Sequence, residues 1–143
     1  MENIKMDELK AINHKDLDRF IFKDIITKSK VYKVYDGDTI SVIFEYKGEY
    51  IKYSCRLNGI DTPEMRDKNL EVKKLAYEAR DFLRHLILDK IINIELIKFD
   101  KYGRLLVNAY TLEGESLSDI MLINNYAKKY DGGTKYDWNL YFT

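Results

Sequence analysis

The stretch VYKVYDGDTISVIFEYKGEYIKYSCRL, Val31–Leu57, decides the fold class. Val31, Val34, Ile40, Val42, Ile43 and Phe44 are β-branched or aromatic, which favours strands. Tyr46-Lys47-Gly48-Glu49-Tyr50 reads as a hairpin turn between two of them. Beyond the turn, Ile51, Tyr53, Cys55 and Leu57 alternate with Lys52, Ser54, Arg56 and Asn58. Successive strand residues point to opposite faces, so Cys55 is expected in the core as a small hydrophobe and Arg56 on the other side.

On the C-terminal side the period changes. From about Asn69 to Leu88, Val72, Leu75, Ala76, Ala79, Leu83, Leu86 and Ile87 recur at helical spacing. His85 lies in this helix and reads as solvated or capping. Ile91–Ile97 and Leu105–Leu112 read as strands, with Gly103 marking the turn between them. Ser116 and Ser118 offer N-caps to a second helix through Leu117, Ile120, Met121 and Leu122, and Asn125 suits a left-handed end. The glycines of Tyr130-Asp131-Gly132-Gly133-Thr134-Lys135 predict a loop. Strands, a helix, strands and a closing helix make a small α+β domain, and a five-stranded closed sheet of the OB type, with two main helices, fits the order.

On the N-terminal side, Leu9, Ile12, Leu17, Phe20 and Ile21 supply the apolar side of one or two short helices. The expected organisation is a short helical N-terminal arm over residues 1–29 and the OB-type domain over 30–143. The arm is expected to pack on that domain or on a protein partner. His14 reads as an ordinary surface histidine.

Composition narrows the function. The chain has 143 residues, with 24 Lys+Arg balancing 24 Asp+Glu. A neutral chain is no basic coat for nucleic acid, so any phosphate binding must come from a local cationic site. One Cys, 1 Pro and 7 Gly exclude a disulfide scaffold and a collagen-like repeat. The 12 Tyr read chiefly as core and half-buried surface. No run approaches the roughly 18 apolar residues of a membrane span. Met1-Glu2-Asn3-Ile4-Lys5 opens no apolar leader, and a lone Cys55 fits a reducing compartment. The expectation is an intracellular or virion-associated protein rather than a secreted one.

Four pieces carry possible chemistry: Asp36-Gly37-Asp38-Thr39; Arg56 with Gly59-Ile60-Asp61-Thr62-Pro63-Glu64; Asp100-Lys101-Tyr102-Gly103-Arg104; and the loop after Tyr130. Singly, each has a bland reading. Asp-Gly-Asp is a turn whose glycine supplies an unusual dihedral. Asp-Thr-Pro-Glu is a loop that caps and starts a helix. Lys-Tyr-Gly-Arg is a hairpin tip. Together they say more. Asp38, Asp61 and Glu64 are hard oxygen groups without a His/Cys cluster, which suits Ca²⁺ or Mg²⁺ and not zinc. Paired arginines hold phosphate oxygens through a fork that stays protonated. Carboxylates, a hard metal and arginines are the parts of phosphodiester hydrolysis.

These motifs, in this order, resemble the staphylococcal-nuclease-like (thermonuclease) family from about Val31 to Lys129. The resemblance implies an OB-type barrel over residues 30–143 and a calcium-dependent nuclease that cuts DNA and/or RNA to leave 3′-phosphate ends. It implies Asp38 and Asp61 as Ca²⁺-ligating carboxylates, Thr62 as a ligand through its backbone carbonyl, and Asp36 as an acid acting through water. It matches Glu64 to the acid that orients or deprotonates the attacking water, and Arg56 and Arg104 to the arginines on the scissile phosphate. Lys101, Tyr102 and Tyr130 are the candidates for contacting substrate, with a packing role as the equal alternative for Tyr130.

The chain also departs from the family. Its best-known members are basic, so local Lys101, Lys128, Lys129 and Lys135 must supply attraction here. The family's third helix is not expected after Trp138. The loop after Tyr130 resembles the ending of shorter, partly virus-encoded members. An alternative reading is a catalytically weak or inactive module that binds nucleic acid or protein, with the arm tethering it inside a larger particle. Inert modules are expected to have lost acids or arginines, and this chain keeps them.

Overall fold

The computed structural model describes residues 5–18 and 22–142. Five strands close into a barrel in the order β1-β2-β3-β6-β5. They are β1 (Ile26–Val34), β2 (Thr39–Tyr46), β3 (Glu49–Leu57), β5 (Ile91–Phe99) and β6 (Leu105–Tyr110). Every barrel pairing is antiparallel except β3 with β6, which sets Cys55, Arg56 and Leu57 beside Leu105, Leu106 and Val107 in parallel. That seam closes the α+β barrel expected of an OB-type chain. A two-stranded ribbon, β4 (Ile60–Asp61) with β7 (Lys128–Lys129), lies outside it.

The hairpin forms where its sequence predicts. Lys47 and Gly48 take φ of 50° and 83°, the pair of positive values that a two-residue primed turn needs. Ile40, Val42, Cys55 and Leu57 are buried with Ile92, Ile94, Leu105 and Val107. The first strand begins earlier than the change of pattern at Lys30 indicates. Residues 26–29 belong to β1, but Ile26 is exposed and the buried position is Ser29, so hydropathy carries no alternation there.

Two main helices complete the domain. α2 (Leu70–Ile87) buries Val72, Ala76, Ala79, Leu83 and Ile87 at helical spacing. Asn69 caps it, its side chain accepting from the N–H groups of Glu71 and Val72. Asp61-Thr62-Pro63-Glu64 is therefore not the helix entry that its composition suggests. α3 (Leu117–Ile123) is capped by Ser116, and Asn125 follows with φ 63°. The loop after Tyr130 leads to a short 3₁₀ helix, Trp138–Phe142, that buries Trp138.

Gly37 corrects another expectation. It is absent from the glycines with positive φ. Its need is space: a Cβ there would meet Thr62 Cγ2 at 3.0 Å and Ala79 Cβ at 3.1 Å. The absence of a side chain lets the Asp36–Thr39 loop lie against Thr62 and α2.

In the arm, α1 (Met6–Ala11) and the 3₁₀ turn His14–Asp16 are helical and bury no residue. Phe20 and Ile21 of the expected apolar side lie outside the described residues. Phe22 and Ile25, further on, pack against the barrel core. Among the described residues no helix is long and apolar enough to cross a membrane.

Candidate active site

The loop from β1 to β2 delivers Asp36 and Asp38. The Asp36 carboxylate accepts the N–H of Asp38 at 3.0 Å, and the main chain of Asp38 takes the N–H of Leu57 at 2.8 Å. Asp38 is thereby fastened between its own loop and the end of β3. Its Oδ1 accepts the hydroxyl of Thr39 at 3.1 Å, and its Oδ2 accepts the N–H of Thr62 at 3.3 Å and faces Arg56 Nη1 at 3.1 Å.

Arg56 is nearly as buried as its partner, with side chains 9% and 9% exposed. A charge so withdrawn from water requires partners. Nη1 also donates to the Leu57 carbonyl at 3.1 Å, and the guanidinium lies 5.9 Å from the ring centre of Tyr130. Arg104 arrives from the β5–β6 turn. Asp100 folds that turn by accepting the N–H groups of Tyr102 and Arg104, and its Oδ2 takes Arg104 Nε at 2.7 Å. Arg104 Nη1 then reaches Thr39 Oγ1 at 3.4 Å.

A cleft of about 380 Å³ collects Asp36, Asp38, Arg56, Glu64 and Arg104, with Lys33, Tyr35, Ser41, Ser54 and Lys135 also on its walls. A second hollow of about 260 Å³ shares Arg56, Arg104 and Lys135 and adds Lys101, Tyr102 and Tyr130. All three motifs and the Tyr130 loop thus meet on one side of the barrel. Lys33, Arg56, Arg104 and Lys135 stand there beside the acids, so the cleft holds charges of both signs. Glu64 is more exposed than the other acids, and its carboxylate lies 3.7 Å from Lys135 Nζ. Asp61 and Thr62 are buried, 3% and 3% exposed, and neither lines the cleft wall. Of the other lysines singled out, Lys129 borders a third, shallow depression, while Lys128 sits over the rings of Tyr136 and Tyr141.

Two of the acids hold their protons more tightly than free carboxylates do. Burial, reinforced by the charge of Asp38, pushes Asp36 up to about 7. Burial also raises Asp61, with the charge of Asp38 adding to it and the Trp138 hydrogen bond opposing it. Such a set of oxygens suits a hard divalent cation, which would relieve the repulsion. Asp38 and Asp61 are near enough for the charge of one to act on the other, so these two carboxylates could share one. No group of three or more His, Cys, Asp or Glu side chains is drawn together tightly enough to do so among the described residues.

Several wall residues escaped the sequence reading. Ser54 had a signal, since it shares the Arg56 face of β3 by alternation. Lys33 and Tyr35 stand two apart beside the Asp36 loop and offered only that spacing. Trp138 donates its indole N–H to Asp61 across 77 positions, and no local pattern marks that bond.

The model of the family described as staphylococcal nuclease homologue matches residues 54–140. Endonuclease YncB of Bacillus subtilis (strain 168) is 33% identical over 107 residues, covering 71% of this chain and 48% of its own. A thermonuclease of Staphylococcus hyicus is 36% identical over 90 residues, covering 62% of this chain and 50% of its own. An uncharacterised endonuclease of Escherichia coli O157:H7 is 32% identical over 95 residues, covering 65% and 54% respectively. The chain spans about half the length of the curated relatives it matches.

Proposed function

The chain belongs to the family of staphylococcal nuclease homologues, and from that premise we propose that it is a Ca²⁺-dependent nuclease leaving 3′-phosphate ends on DNA and/or RNA. One observation carries the reading: two arginines and the acids Asp36, Asp38 and Glu64 line a single cleft. Relatives whose names include endonuclease and thermonuclease support it.

In this reading Asp38, Asp61 and the Thr62 carbonyl hold the cation. A bound Ca²⁺ would supply Lewis-acid chemistry at a phosphate oxygen. Arg56 and Arg104 grip the scissile phosphate and stabilise the charge that builds on it. Asp100 already braces Arg104 through Nε, and Nη1 reaches only the neutral hydroxyl of Thr39, so Asp100 sets the direction in which the fork meets substrate. Glu64 takes a proton from the attacking water, for which it must come within about 3 Å or one water of it. The new P–O bond forms as the bond to the 5′ oxygen breaks; that oxygen takes a proton from solvent water, and the proton on Glu64 neutralises the hydroxide so formed. Tyr102 and Tyr130 offer rings to a nucleotide base, and Lys101 offers charge to a neighbouring phosphate.

The test is cleavage of labelled single-stranded DNA and RNA with Ca²⁺, Mg²⁺ or chelator, beside Glu64→Ser. Ca²⁺-dependent cleavage lost in the variant, with 3′-phosphate products, is expected. A folded wild-type chain that binds Ca²⁺ without cutting either substrate would move the assignment to a binding module.

A further inference from the structure

Asp61 ends the short strand β4 and is almost wholly buried. Its Oδ2 accepts the indole N–H of Trp138 at 3.2 Å. That donor is itself firmly held. The Trp138 ring meets Tyr136 edge-on at 5.1 Å and Tyr141 at 5.8 Å between centroids. Lys128 covers both tyrosines and pairs with Asp61 in the β4–β7 ribbon. The neighbouring Asn139 accepts from the side-chain amide of Asn69, the cap of α2. The indole is therefore fixed from two sides, by the ribbon and by the helix cap.

We propose that Trp138 is a positioning residue for the cation site: its N–H sets the rotation of the Asp61 carboxylate before a cation arrives. The proposal rests on the reading of Asp61 as a cation ligand. A carboxylate ligand that must find its own orientation pays for it in binding, and a fixed donor removes that cost. An aromatic ring without N–H fills much of the same space but leaves Asp61 free to rotate. Packing alone would explain a buried ring, whereas it does not require the indole nitrogen to face a buried carboxylate.

Trp138 is the only tryptophan of the chain, so tryptophan emission reports the surroundings of this ring. The experiment titrates Ca²⁺ alone into wild type, Trp138→Phe and Tyr141→Phe, by calorimetry and, where tryptophan remains, by fluorescence. Melting without Ca²⁺ is measured alongside. Tyr141 touches the same ring but makes no hydrogen bond to Asp61. Wild-type emission is expected to shift with the same midpoint as the heat. Trp138→Phe is expected to lose about 10–100-fold in Ca²⁺ affinity, and Tyr141→Phe to keep it. Trp138→Phe binding Ca²⁺ as tightly as wild type would overturn the proposal. So would heat without any change in wild-type emission, which remains decisive if Trp138→Phe fails to fold. If the wild type takes up no Ca²⁺, the ligand reading itself falls, and the proposal with it; that outcome is visible in the wild type alone.

Discussion

Arg104 owes its orientation to Asp100. Burial works to raise the Asp100 carboxyl, but hydrogen bonds from the Arg104 and Tyr102 N–H groups and from the Arg104 guanidinium hold it below the usual carboxylate range. A group depressed in the folded state stabilises fully above its unfolded value, and that contribution is lost as pH falls through the folded one. Asp100→Asn is therefore expected to flatten part of the wild-type loss of stability in acid, as read from urea midpoints between neutral pH and pH ~3. Arg104→Ala should cost roughly 10²–10³ in kcat with the fold retained, since Arg104 is only partly buried. Arg56 demands a gentler substitution. Truncating it leaves Asp38 as a buried, unpaired charge, a change worth about 3–5 kcal/mol. Arg56→Lys keeps the charge and loses the fork, so it separates catalysis from folding: activity should fall while the melting temperature moves little. Near-normal turnover in either arginine variant would remove that residue from the assigned chemistry. At Cys55, burial pushes the thiol up to about 12, so it should resist alkylation until the chain is denatured.

Among the elements, the Asp36–Thr39 loop has the narrowest tolerance. Gly37→Ala forces a methyl against Thr62 and Ala79, and overpacking of this kind costs about 1–3 kcal/mol. A lower denaturation midpoint and weaker cation binding are expected together, because Asp38 and Thr62 flank the point of contact. The β2–β3 turn offers the opposite case. Lys47 sits at φ 50°, where a lysine is strained, and Lys47→Asn should stabilise by about 0.5–1 kcal/mol in the same measurement. These elements also mark what the sequence could disclose. Alternation in β3, the helical period of α2 and the Ser116 cap are local patterns, and they locate their elements. Gly37 presents the same letters whether it supplies a dihedral or a gap, and only the packing of α2 distinguishes them. The start of β1 is hidden because its inward residue is Ser29. The site divides the same way. Its acids and arginines stand in recognisable motifs, but the bond from Trp138 to Asp61 spans 77 positions and exists only once the chain has folded.

For the whole molecule, charge distribution matters more than charge. A net charge of zero provides no general attraction to a polyanion, whereas Arg56, Arg104 and Lys135 line both hollows. Each phosphate neutralised on a single strand contributes about −0.7 to the slope of log K against log salt, so three contacts predict about −2. A much steeper slope in binding titrations with a non-cleavable oligonucleotide would point to a larger cationic footprint than these hollows supply. The parallel seam of β3 and β6 has another consequence. It sets Arg56 beside Leu106, and Arg104 immediately precedes β6, so the two arginines come together through a joint between distant parts of the chain. Such long-range pairing forms only after a large loop has closed. While the ribosome is still building the chain, Asp38, Arg56 and Glu64 emerge before the strand that follows Arg104 exists. On the proposed function, a chain that stops before β6 is expected to cut nothing, because its cutting edge is assembled only by the completion of the fold.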